Sequence, residues 1–70
     1  MLINYEMLMI AVKDVILEDK HDSYDFNIIV GAAQPCWDGT GILVKSTDFE
    51  AVFDATTYDC LSVDSFDLTQ

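Results

Sequence analysis

The amino-acid sequence predicts a small, mainly β fold, an antiparallel sheet in a single domain over residues 1–70 with room for one short helix. An α+β arrangement is the alternative. Three observations lead there. The segment "YDFNIIV" alternates Tyr24, Phe26, Ile28 and Val30 with Asp25 and Asn27, the period-two pattern of a strand with one buried face. A second β-branched run, "ILVKS", follows the turn dipeptide Asp38-Gly39. The chain is 51% hydrophobic, with four Phe, three Tyr and one Trp, whereas acidic disorder combines charge with low hydrophobicity. Seventy residues leave no room for a second core.

In chain order, "YEMLMIAVKDVILED" comes first and fits two patterns. Tyr5, Leu8, Met9, Val12 and Ile16 recur at helical spacing, and only Asn4 offers an N-cap. Leu8, Ile10 and Val12 alternate, and Ile10, Val12, Val15 and Ile16 are β-branched, which favours a strand. With "YDFNIIV" as partner and the polar "EDKHDS" as turn, a long hairpin of roughly residues 7–18 and 24–33 is expected. "GAAQPCWDGTG" reads as a crossing loop, because Gln34 before Pro35 is biased to extended geometry. "ILVKS" is then the third strand. "TDFE" fits a capping box between Thr47 and Glu50, and the alternation Phe49, Ala51, Phe53 fits a fourth strand. "CLSVDSFDL" pairs Leu61 with Val63 and Phe66 with Leu68, a strand with a kink between the pairs.

Charge is the unusual feature. Thirteen acidic residues face three lysines, giving −10, beyond the magnitude of roughly 2–8 that suffices for solubility in a small domain. Residues 46–70 hold Asp48, Glu50, Asp54, Asp59, Asp64 and Asp67 with no basic residue. Like charges brought together oppose compaction, so this stretch implies counter-charges on another molecule. In a strand, Asp48 and Glu50 project on one side roughly 7 Å apart. In a helix, Glu50 and Asp54 share a face.

No catalytic pattern is present, and the chain does not read as an enzyme. His21, the one histidine, lies in a polar turn and reads as solvated, with no cysteine beside it to form the nucleophile–base pair that covalent catalysis requires. Asp19, Asp22 and Asp25 are spaced three apart, unlike the every-second ligands and central glycine of a calcium loop. No paired-cysteine zinc spacing occurs, so neither metal nor cofactor is expected. Gly39 and Gly41 lack the remaining residues of a phosphate loop. Direct nucleic-acid binding and docking on an acidic membrane are opposed by the sign of the charge. Cys36 and Cys60 lack a disulfide-scaffold pattern and read as small buried hydrophobes in a cytoplasmic protein. "MLINYE" has no basic flank for a signal peptide, and Met7–Val12 is too short to span a membrane.

What remains is a basic protein partner, a nucleic-acid-binding protein or complex. A globule of this length has a radius of gyration of about 11 Å, and duplex DNA of matching length carries on the order of 16 phosphate charges. Ten charges are of that order, and the match requires the acids to gather on one face of the folded body. Trp37, after Pro35, is the foremost aromatic anchor, with Tyr58 second; the structural alternative for Trp37 is a cover over the end of the core. A small acidic domain without enzymatic motif or cysteine framework resembles the phage inhibitors of DNA-targeting defence, the anti-CRISPR and anti-restriction class. That resemblance implies a non-enzymatic inhibitor, a DNA mimic among its forms, in the host cytoplasm. The partner-binding set is then Asp48, Glu50, Asp54, Asp59, Asp64 and Asp67 with Trp37. The alternatives are an acidic assembly or accessory module that binds another protein through apolar surface, and a small-ligand or cation binder around Trp37.

Overall fold

The computed structural model describes residues 2–47 and 49–65. Helix α1 (Tyr5–Val15) leads through a 3-10 segment (Glu18–Ser23) to helix α2 (Phe26–Gly31). Four strands follow, β1 (Gln34–Cys36), β2 (Gly41–Lys45), β3 (Phe49–Asp54) and β4 (Cys60–Ser65), with a tight turn at Trp37–Gly39. The sheet is an antiparallel meander in the order β1-β2-β3-β4. The antiparallel sheet is as expected, but the fold as a whole is α+β. The radius of gyration is 11.3 Å.

The expected N-terminal hairpin is two helices. Asn4 caps α1, its side-chain oxygen accepting from the Met7 amide at 3.2 Å. Leu8 and Val12, one turn apart, are fully buried, while Ile10, which a strand would have placed beside them, is 64% exposed. Asp25 caps α2 by accepting from the Ile28 amide at 3.3 Å. Phe26, Ile29 and Val30 form its buried stripe at i, i+3 and i+4, and Ile28 is left in solvent. The same letters supported strand alternation because a six-residue helix is too short for its period to separate from two. The caps decide between them.

Downstream, the expected strands form, and the segment read as a crossing loop adds a further one, β1, whose residues Gln34–Cys36 pair with β2. Ile42 and Val44 of β2 stand opposite Phe53 and Ala51 of β3, and with Phe49 they make the sheet's half of the core. Leu8, Val12, Ile16, Phe26, Ile29 and Val30 supply the helical half. The capping box at Thr47 and Glu50 does not form, since Glu50 lies inside β3. Helices therefore cover one face of the sheet, and on the other the described residues place only the Trp37 turn, which lies over Gly41 and Val52 at one end. Phe66, Asp67 and Leu68, the second half of the expected kinked strand, lie outside the described residues.

Candidate functional site

The uncovered face is assembled by alternation. With Ile42 and Val44 pointing into the core, Gly41, Leu43 and Lys45 of β2 point away from it, as do Glu50, Val52 and Asp54 of β3. Register then places Asp64 directly opposite Glu50, and Ser62 opposite Val52. Lys45 stands on the other side of Glu50. Two carboxylates on directly opposed positions repel, and Lys45, opposite Glu50 on the other side, offsets part of that cost from within the chain and leaves Asp64 at the outer end of the row.

Trp37 lies at the far end of this face. It follows β1 in left-handed backbone, φ 54°, with Asp38 at φ 56° and Gly39 at φ 88°. Only the glycine takes such a conformation without steric cost. The turn is held by Thr40, whose amide and hydroxyl both donate to the Trp37 carbonyl, at 3.1 and 2.7 Å. The indole reaches over Gly41. A Cβ at Gly41 would come within 3.2 Å of Trp37 Cε3, 3.1 Å of Val52 Cγ1 and 3.0 Å of Cys36 Sγ. The absence of a side chain at Gly41 thus lets the indole approach the sheet closely beside Val52. Trp37 nevertheless remains 56% exposed. It caps the outer face of the sheet and not the end of the core.

The sequence-derived acidic set divides. Glu50 and Asp64 form the opposed pair just described. Asp54 shares their face, but its carboxylate is occupied by the turn into β4, accepting from the Thr56 and Thr57 amides at 2.7 and 2.9 Å. Those backbone bonds, Thr57's first, hold the Asp54 carboxyl below its ordinary value of 3.8. Asp59 sits in the same turn, its carbonyl accepting from the Asp54 amide at 2.8 Å, and lies beside α1. Asp48 and Asp67 lie outside the described residues. The remaining described acids are Asp38 beside Trp37, and Glu6, Asp14, Glu18, Asp19, Asp22 and Asp25 in the helical layer. Negative charge is thus carried by both layers.

Other expected sites take different roles. Tyr58, at φ 63°, is a staple: its hydroxyl accepts from the Asn4 amide at 2.8 Å, tying the β3–β4 turn to the start of α1. His21 is half-buried, not solvated. Its Nε2 lies 3.0 Å from the Ile16 carbonyl and 3.1 Å from that of Lys13, closing the end of α1. Its ring meets Phe26 edge-on at 5.3 Å. The cysteines are not buried as expected; Cys36 is half-buried and Cys60 exposed. They belong to opposite edge strands, separated by three strand spacings of about 4.8 Å each, too far to bridge. Among the described residues no group of His, Cys, Asp or Glu side chains is placed to hold a metal ion, and no helix is long and apolar enough to cross a membrane.

One feature escaped the sequence reading. Met7, Ile10 and Val15 of α1 face Tyr58 and Cys60 across a groove of about 330 Å³. Beyond it, Leu61 and Val63 of β4 are 49% and 46% exposed. The alternation of Leu61 and Val63 with Ser62 and Asp64 was visible as a strand pattern. What hid the groove was the assignment of Met7 and Ile10 to a buried strand. Comparison of the chain with known protein families, with characterised proteins and with solved structures gave no match.

Proposed function

We propose that the chain is a non-enzymatic binding module that docks through its uncovered sheet face on a basic, nucleic-acid-binding surface of another protein. It then acts as an inhibitor of the anti-CRISPR or anti-restriction kind. The observation that carries this reading is the pairing on one bare face of the opposed Glu50 and Asp64 with an exposed Trp37 in left-handed backbone. The left-handed backbone at Trp37 costs stability in the free chain, and the like pair adds a cost that Lys45 offsets only from the Glu50 side. Both fit an interface in which the indole is the anchor and a cation enters between the carboxylates. With charge in both layers, the field speeds encounter from many directions, while the sheet face confers the register. The exposed apolar surface between α1 and β4 favours a second reading, an accessory module that binds a protein partner through apolar contact.

The test is capture of partners from host lysate on the immobilised chain, with Trp37→Ala and Glu50→Lys/Asp64→Lys variants alongside. The expected partner binds nucleic acid, and excess duplex DNA displaces it. Its association rate falls about tenfold between roughly 50 and 500 mM salt, and each variant weakens binding at least about tenfold. A partner indifferent to salt, to DNA and to both variants would leave only the accessory-module reading.

A further inference from the structure

We infer that the outer edge of β4, with the apolar groove beside α1, accepts an extended segment of a partner protein in which apolar and basic residues alternate. This surface shares Asp64 and Glu50 with the sheet face but does not involve Trp37.

The two edges of the sheet are treated differently. β1 spans three residues and carries Pro35, and shortness and a missing N–H both discourage pairing. β4 spans six residues, "CLSVDS", with neither proline nor lysine, and among the described residues no strand pairs with its outer side. The bulge opposite Val52 and Phe53 disturbs only its first residues, leaving Ser62 to Ser65 in regular register. An edge of this kind is a template for another strand.

The side chains around it specify what that strand must carry. Val63 stands opposite Ala51 and so on the helix-facing side of the sheet. No described element covers it, and it is 46% exposed. The groove with Met7 and Ile10 begins next to it at Cys60. An added strand would therefore turn every second side chain toward apolar surface. Its other side chains would lie beside Ser62 and Asp64, with Glu50 one strand further on. Asp14 and Asp59 flank the groove itself. Apolar residues on one side and lysine or arginine on the other satisfy both. A second copy of the chain fits poorly, because at −10 per copy it would bring further carboxylates to the same edge.

The probe is an acetylated and amidated peptide of about eight residues alternating valine and lysine, titrated into the full chain and followed by backbone amide NMR and hydrogen exchange. The expected result is shifts at Met7, Ile10 and residues 61–65, with slowed exchange along β4. Val63→Lys should weaken binding at least tenfold, and Trp37→Ala should leave it unchanged, which separates this surface from the sheet face. In an extended peptide the valine amides point to one edge and the lysine amides to the other, so N-methylating one set should abolish binding while the other set is tolerated. Equal effects of the two methylations overturn the inference. So does equal binding by a peptide with the same residues in two blocks, since charge alone then suffices. Outward β4 amides that are already slow to exchange in the free chain, or a dimer in sedimentation, mean that the chain itself covers the edge, and they also overturn it.

Discussion

Asp54 shows how one side chain can be claimed by structure when its charge suggests binding. Its carboxylate receives two backbone amides, its carbonyl accepts from the Tyr58 amide and its own amide donates to the Asp59 carbonyl. The turn so formed places Tyr58 where its hydroxyl meets the Asn4 amide, so a carboxylate in the sheet fixes the start of a helix. The amide bonds favour the ionised form and lower the Asp54 pKa below 3.8. A group whose folded value is depressed contributes stability that is present above the unfolded value and lost as pH falls through the folded one. Asp54→Asn keeps an acceptor oxygen and removes the charge. The melting-temperature gap between wild type and this variant should therefore be full well above pH 3.8 and close progressively as pH falls below it. A gap independent of pH would mean that the charge plays no part in the turn. Nothing in the letters "FDATTYD" distinguished Asp54 from Asp59 or Asp64; the distinction arises from which amides the turn presents.

At the scale of elements, strands were legible where burial on one face enforced alternation, as in Ile42/Val44 and Phe49/Ala51/Phe53. The helices were not, because both candidate periods place apolar residues at Leu8, Val12, Phe26 and Val30. What separates them lies at the ends, in Asn4, Asp25 and His21. Ile16, the residue that ends α1, is in extended backbone, and His21 returns from the 3-10 segment to reach the Ile16 and Lys13 carbonyls. Orphan carbonyls at a helix end need such partners. Lys13 adds its ammonium over the Phe26 ring, 5.5 Å from the centroid. His21→Ala removes the donor and the edge contact with Phe26, and should cost about 1–2 kcal/mol. Hydrogen exchange would localise the loss to the last turn of α1 and the start of α2. A cost spread evenly over the sheet would show that His21 supports the core as a whole instead of the α1–α2 junction.

For the molecule as a whole, the charge expected from the sequence to gather in one place is shared between layers. The sequence showed which residues are acidic and not which surface each would join, since that depended on the helices. With α1 and α2 on one face of the sheet, six acids of the N-terminal third lie in the helical layer, while Glu50 and Asp64 lie on the opposite face. A body of radius of gyration 11.3 Å is only slightly larger than the screening length of about 10 Å at 0.1 M salt. At low salt every carboxylate therefore feels the others, and the folded state bears a repulsion that the expanded chain relieves. Wild-type stability should rise as sodium chloride is added from low millimolar to about 0.5 M, against the usual weakening of surface ion pairs. Asp64→Lys replaces a directly opposed like pair with an opposite one and reduces the magnitude of the net negative charge by two. It should be more stable than wild type by about 0.2–1 kcal/mol at low salt, and should gain less from added salt. Denaturant melts of the two proteins across the salt series decide the matter. A less stable variant would mean that Asp64 is held by contacts in the free chain, and the opposed pair could then no longer be read as a site kept open for a cation from elsewhere.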